Sequence, residues 1–352
     1  MAGRVNLMQL GRNKIGSPGL QISAIRNNFS RALQRSGGNA LSYPIDHLEE
    51  HGHQYYEVRG WRSSFINPQA LIDVANEGKA MCMAVLPGLG ATIGRMTKGE
   101  MPLIWKLNKG AGNKANGDYV TVKLYSNIDD AMKIAIDNGA VFWGATYYHF
   151  SLNSPEMLAQ IAEMDEAGAK YGLGGVVWNY PRGSMIQGGD ANIFNQLRGF
   201  EAIINACPAS LVLVKEKVST PPGTGKEWGG PVIKLWEEGN LEEFGWGKPG
   251  NVQSEEAVRA FMALDRAQQI EYMVATQHNM GIPSLMSGGA PQKPDQFRKD
   301  VEDGIAPNRH IAFIAGRSTT SQIKAGDEYD ISNAVAHFNM LNDAAPEVVI
   351  ED

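Results

Sequence analysis

The chain has 352 residues, 43% hydrophobic and 20% charged, enough to bury one large core or two ordinary ones. Lys and Arg number 32 against 38 Asp and Glu; the net charge of −6 offers no cationic excess for a phosphate backbone and argues against nucleic-acid binding. No apolar run approaches the ~20 residues of a membrane helix, the first residues lack the apolar stretch of a secretory leader, and the two cysteines, Cys82 and Cys207, suit a reducing cytoplasm rather than a disulfide scaffold.

Residues 1–39 are polar, rich in Arg and Asn, and outside any repeating pattern. They read as an extension with one short helix near 22–34, a candidate contact for a neighbouring subunit. From residue 40 to 352, β-type runs alternate with helix-type runs in one domain. ALSYPID (40–46) is the first strand, and the helix NPQALIDVANEG (67–78) ends at a glycine. AMCMAVLPG (80–88) and PLIWKLN (102–108) are the second and third strands. The helix at 128–139 has Asn127 as its N-cap and Gly139 as its stop. AVFWGATYYH (140–149) is the fourth strand. Ser154-Pro155 opens a helix running to about residue 171. GGVVWNYPRG (174–183) is the fifth strand, 193–206 a helix, and SLVLVKEKV (210–218) the sixth strand. A long amphipathic helix spans 255–278. IPSLMSGG (282–289) and HIAFIAGR (310–317) are the last two strands, followed by a helix near 331–344.

Eight apolar runs alternating with helices predict an α/β protein with an all-parallel sheet, and their number favours a (β/α)8 TIM barrel. A dinucleotide fold would place G-x-G-x-x-G after the first strand, where DHLEEHG stands. Gly88 and Gly90 are followed by Gly94, one residue late for the pattern. The segment 219–253 is too long for an ordinary connection and reads as an insertion after the sixth strand, on the face where barrels carry their chemistry. Within it, PPGTGK imitates a phosphate-binding loop. Thr220 stands where the first glycine belongs and Glu227 where the Mg²⁺-binding hydroxyl belongs, so this is a turn.

The sixth strand carries the most informative pattern. Lys215 and Lys217 are two apart and point to one face, with Glu216 on the other. Either the lysines sit at a solvated strand end, or one is an amine nucleophile. A lysine in a dry pocket beside another cation is neutral enough to form a Schiff base with a carbonyl. On the fifth strand Trp178, Tyr180 and Arg182 alternate to one face. A tyrosine there suits proton transfer and an arginine suits a phosphate; core packing is the competing role for Trp178 and Tyr180. The first strand ends in Asp46, followed by His47, Glu50, His51 and His53. A strand-end aspartate is a candidate catalytic group; the cluster is alternatively a metal site or a solvated loop. Lys106 and Asn108 share a face of the third strand. Ser287-Gly288-Gly289 and Gly316-Arg317 end the seventh and eighth strands, where barrels bind phosphate.

In this order, IDHLEEHG, PLIWKLN, AVFWGATYYH, VVWNYPRGS, LVLVKEKV, LMSGG and IAGR resemble the class I fructose-bisphosphate aldolases of the archaeal and bacterial type, within the deoxyribose-phosphate aldolase-like barrels. The resemblance covers most of residues 40–320. It implies a Schiff base on Lys215 with Lys217 as neighbouring cation, acid–base work by Tyr180, an assisting role for Asp46, and a pocket lined by Trp178 and Lys106. Ser287, Gly288, Gly289, Gly316 and Arg317 would hold one phosphate and Arg182 the other. It implies a sugar bisphosphate substrate, no metal or organic cofactor, a cytoplasmic setting and a homo-oligomer, commonly a decamer in the family. Leu48 stands where the family often has glycine, and both the insertion and the N-terminal extension exceed the compact archaeal members. Another Schiff-base aldolase or transferase, a metal-dependent aldolase and a silent barrel scaffold are the alternatives.

Overall fold

The computed structural model describes residues 4–5, 19–46, 67–110, 118–186, 193–217, 268, 273, 277, 282, 284–287, 312–320, 322–323, 330–344 and 349–350. Eight strands close into a parallel barrel: β1 (Leu41–Pro44), β2 (Cys82–Val85), β3 (Leu103–Lys106), β4 (Ala140–Tyr148), β5 (Gly174–Tyr180), β6 (Leu211–Lys217), β7 (Ser284–Ser287) and β8 (Ala312–Ile314). Each strand pairs in parallel with the next, and β8 pairs with β1, so the barrel sheet itself has no open edge. The strands are the eight that the alternating apolar pattern predicts, each trimmed by a residue or more.

The helices are α1 (Gly19–Arg35), α2 (Pro68–Glu77), α3 (Pro87–Thr97), α4 (Ile128–Asp137), α5 (Ser154–Tyr171), α6 (Ile193–Ala206), α7 (Arg317–Thr320) and α8 (Ser332–Ala344). Local chemistry sets their ends. The Asn67 side chain accepts the backbone N–H groups of Gln69 and Ala70, and Asn127 accepts that of Asp130. Asp129 and Asp130 then place negative charge in the first turn of α4, where the helix dipole favours it.

Three differences from the sequence reading have physical causes. Helix α3 is absent from that reading because Gly88, Gly90 and Gly94 lower its intrinsic propensity; burial of Ile93 in the core overrides that. The third strand stops at Lys106. Asn108–Gly110 turns away into an antiparallel hairpin with Thr121–Lys123. The N-terminal helix is longer than expected and packs beneath its own barrel. Its Ile25, Phe29, Ala32 and Leu33 join one apolar cluster with the barrel-lining Cys82, Ile104, Phe142, Val176 and Leu213. Phe29 meets Phe142 edge to face at 5.5 Å. The Asn28 amide donates to the Gly172 carbonyl at 2.9 Å, just before β5, so α1 closes the floor of the barrel.

A second apolar cluster lies between the outer faces of the strands and the helices. It includes Tyr43, Trp105, Trp143, Val177 and Val214. Buried Asp165 of α5 ties this layer to β6: its carboxylate accepts the backbone N–H groups of Ala209 and Ser210 at 2.6 and 2.8 Å. The start of β6 is thereby fixed, and with it the height of Lys215 in the barrel. Cys82 and Cys207 are buried free thiols. Among the described residues no helix is long and apolar enough to cross a membrane.

Candidate active site

Alternation along the strands brings Lys106, Thr146, Trp178 and Lys215 to the inner face, toward the C-terminal end of the barrel. Backbone register sets Thr146 beside Trp178, Tyr148 beside Tyr180, and Trp178 beside Lys215. The lysines and aspartate predicted for this face are buried: Lys106 is 0% exposed, Lys215 4% and Asp46 4%.

Lys106 is held on three sides. Its Nζ donates to Thr146 Oγ1 at 2.7 Å, lies 3.3 Å from Asp46 Oδ2, and sits 4.0 Å from the centroid of the Trp178 ring. The Asn108 side chain clamps the Thr146 backbone. Its Nδ2 donates to the Thr146 carbonyl at 3.1 Å, and its Oδ1 accepts the Thr146 N–H at 2.6 Å. Gly144, one residue pair below Thr146, makes the room. A Cβ there would meet Ile104 at 2.9 Å, Lys106 Cδ at 3.0 Å and Trp178 at 3.1 Å. A buried ion pair is a weak source of stability, because desolvation offsets the attraction. Two lysines and an aspartate buried in a barrel interior make this cluster the candidate site.

Lys215 presents its Nζ to the face of the Tyr180 ring, 4.2 Å from the centroid. The same ring carries the Arg182 guanidinium at 4.5 Å. Tyr148 stacks on Tyr180 with centroids 5.9 Å apart and an interplanar angle of 23°. Tyr148 and Thr146 were not singled out from sequence, although period-two counting from Gly144 places both on the inner face of β4. Arg182 thus lies against the Tyr180 ring at the end of β5.

At the ends of β6, β7 and β8, register sets Lys217, Ser287 and Ile314 side by side. Gly316 follows β8. Its carbonyl accepts the N–H groups of Thr319 and Thr320, shaping the start of α7, to which Arg317 belongs. The Tyr43 hydroxyl pairs with Thr320 Oγ1 at 3.0 Å and anchors this turn to β1. Gly288, Gly289, His47, Glu50, His51, His53, the insertion 219–253 and most of 255–278 lie outside the described residues. Among the described residues no group of three or more His, Cys, Asp and Glu is placed to hold a metal ion.

On the opposite face of β6, Glu216 is fully buried. Its carboxylate accepts the Asn179 amide at 3.1 Å and the Gln277 amide at 3.0 Å. Burial pushes this carboxyl well above the usual range, against the opposing pull of Asn179, Lys215 and Gln277. His149, one residue beyond Tyr148, is held down at about 4 by burial and by the Arg198 charge. Its Nδ1 faces the Tyr147 hydroxyl at 3.1 Å.

The described residues form a parallel (β/α)8 barrel with buried amines on its inner face, toward the C-terminal ends of its strands. The chain belongs to the DeoC/LacD family of aldolases, whose model matches residues 41–322. It is 30% identical over 150 residues to the class 1 fructose-bisphosphate aldolase of Halobacterium salinarum, covering 43% of this chain and 54% of that one. It is 24% identical over 157 residues to the fructose-bisphosphate aldolase/6-deoxy-5-ketofructose 1-phosphate synthase of Methanocaldococcus jannaschii, covering 44% and 50%. The chain thus spans about half the length of the curated relatives it matches. The fold is that of a Schiff-base-forming fructose-1,6-bisphosphate aldolase of known structure, with a TM-score of 0.62 and 19% identity over 90% of this chain and 99% of that one.

Proposed function

We propose that this protein is a class I fructose-bisphosphate aldolase, cleaving fructose 1,6-bisphosphate reversibly to dihydroxyacetone phosphate and glyceraldehyde 3-phosphate. The observation that carries the reading is Lys215, 4% exposed, with its Nζ against the Tyr180 ring. In this reading the Lys215 amine attacks the C2 ketone and water leaves, forming an iminium. Tyr180 takes the proton of the C4 hydroxyl as the C3–C4 bond breaks and the aldehyde product departs. The bonding electrons pass into the iminium, giving an enamine. Protonation at C3 and hydrolysis then release the second product and free Lys215. The iminium is the electron sink, so the reaction requires no metal or organic cofactor.

Asp46 and Lys106 form an ion pair beside Trp178 and orient the substrate hydroxyls. Ser287, Gly288, Gly289, Gly316 and Arg317, with Lys217 nearby, take one phosphate; Arg182 takes the other. We place the enzyme in the cytoplasm as a homo-oligomer.

The dual name of the Methanocaldococcus relative favours one second reading, a Schiff-base aldolase or transferase acting on a related phosphorylated ketose. A coupled assay for cleavage of fructose 1,6-bisphosphate in the presence of a chelator tests the first reading. Activity is expected to persist there and to fall by about 10³-fold or more in Lys215→Met. Activity abolished by the chelator would favour a metal-dependent aldolase. Turnover only of other ketose phosphates would favour the second reading, and no turnover of any would favour a scaffold.

A further inference from the structure

Three loops at the barrel mouth, following β3, β4 and β5, meet at one carboxylate. Asp118 is 2% exposed. Its Oδ1 accepts the N–H groups of Tyr119 at 2.7 Å and Ser184 at 2.9 Å. Its Oδ2 accepts the Leu152 N–H at 2.8 Å and the Ser184 hydroxyl at 2.7 Å. Burial disfavours the charge, but the bonds from Leu152, Ser184 and Tyr119 outweigh it and hold this carboxyl at about 2. The group is therefore ionised at working pH, and its hydrogen bonds are charge-assisted. Further bonds knit the same loops together. The Ser151 hydroxyl and the Asn153 amide donate to the Tyr119 carbonyl, and the Met185 N–H donates to that of Phe150.

These bonds converge on the turn that carries Arg182. The turn leaves β5 at Tyr180 and is caught by Asp118 at Ser184. Between them, the Arg182 N–H donates to the Tyr180 carbonyl at 2.7 Å. Gly183, at φ +150°, is pressed onto the backbone of Phe150 and Ser151, where any Cβ would collide. Arg182 thus lies in a span pinned at both ends, with its guanidinium over the Tyr180 ring. Loosening the Ser184 end would free Arg182 without touching Lys215, Lys106 or Asp46.

We propose that Asp118 is a positioning residue: by holding Ser184 it aims Arg182, and so sets the preference for a ketose with a phosphate at each end over one with a single phosphate. The inference rests on the aldolase reading and adds one assignment to it: Arg182 lies over the ring of Tyr180, which in that reading acts at the C4 hydroxyl, so Arg182 takes the phosphate farther from the ketone and the loops after β7 and β8 take the nearer one. Dihydroxyacetone phosphate and fructose 1-phosphate lack the group that Arg182 binds, so neither should sense Asp118.

The test compares the full-length wild type with Asp118→Asn and Ser184→Ala. Kinetics are measured with fructose 1,6-bisphosphate and fructose 1-phosphate, and each protein is trapped by borohydride with dihydroxyacetone phosphate. Asp118→Asn is expected to raise KM for the bisphosphate about tenfold, with kcat, the fructose 1-phosphate kinetics and trapping near wild type. Ser184→Ala removes one bond and no charge, and is expected to raise the same KM about threefold. If Asp118→Asn does not fold, Ser184→Ala decides alone. Equal losses on both substrates, or an unchanged bisphosphate KM in the folded variants, would overturn the proposal. A wild type that traps no adduct and cleaves neither substrate would defeat the aldolase reading, and this inference with it.

Discussion

Lys215 and Tyr180 face each other across the inner surface of neighbouring strands, with the lysine Nζ 4.2 Å from the centre of the ring. The ring and the hydroxyl of Tyr180 are separable contributions. The ring borders the amine; the hydroxyl is the group available for proton transfer. Tyr180→Phe keeps the first and removes the second. It is expected to leave imine formation with dihydroxyacetone phosphate intact while lowering kcat by about 10²-fold or more. Loss of trapping together with turnover would mean that the hydroxyl serves the amine itself.

The second buried lysine, Lys106, depends on β4. Thr146 accepts from Lys106, and Gly144 leaves space for its stem and for the Trp178 ring. Thr146→Val keeps the shape and deletes the acceptor; kcat/KM is expected to fall about tenfold with little change in Tm. Gly144→Ala forces Ile104, Lys106 and Trp178 to give way. It is expected to destabilise by about 1–3 kcal/mol and to lower activity further, because the displaced Lys106 is one of the proposed substrate contacts. Wild-type kcat/KM in a folded Gly144→Ala variant would mean that the position of Lys106 does not matter.

Stability should fall on the acid side of neutrality. His149 sits at about 4 and His337 is also lowered, both by burial, against an ordinary value near 6.5. The folded chain resists protons that the unfolded chain accepts, so stability is fully present above pH 6.5 and is lost as pH falls from there toward 4. His149 alone should account for about 2 kcal/mol between pH 7 and 5. Denaturation of wild type and His149→Gln at the two pH values checks this. The variant should lose less stability on acidification; an equal loss would remove His149 from the account.

Glu216 acts with the opposite sense. Its folded-state value is raised by burial, so its unfavourable contribution grows as pH rises above the ordinary carboxylate range. Asn179 Oδ1 and Gln277 Oε1 are buried without hydrogen-bond partners, and a neutral amide at 216 could donate to one of them after a side-chain flip. Glu216→Gln is therefore expected to keep the fold and gain stability relative to wild type at pH 8, read as a higher Tm. A lower Tm at pH 8 would show that the charged form is the one the fold requires.

The barrel was legible because its signal is periodic and local. Apolar β-type runs alternate with helix signals such as Asn127, Gly139 and Ser154-Pro155, and the strands appear where those signals place them. Helix α3 was hidden by its glycines, since its stability comes from tertiary burial rather than propensity. The candidate site was legible where one strand carries two unusual residues, as with Trp178 and Tyr180, which the structure sets beside Lys215. Closure then adds what one strand cannot show. Residues two apart on a strand are about 6.7 Å apart along it, whereas Lys106 of β3 reaches Trp178 of β5 across the interior. Asp118 was illegible for a related reason. It lies in a loop without periodicity, and apart from the adjacent Tyr119 N–H its partners, on Leu152 and Ser184, are 34 and 66 residues away.

Reductive trapping is the most direct test of the central claim. The protein is incubated with dihydroxyacetone phosphate, reduced with borohydride, digested and mapped by mass spectrometry. A stable adduct on the peptide holding Lys215, absent in Lys215→Met, is the predicted result. An adduct on Lys106 or Lys217 would keep the imine and move the nucleophile. No adduct in a preparation that cleaves the bisphosphate would contradict Schiff-base catalysis by this barrel.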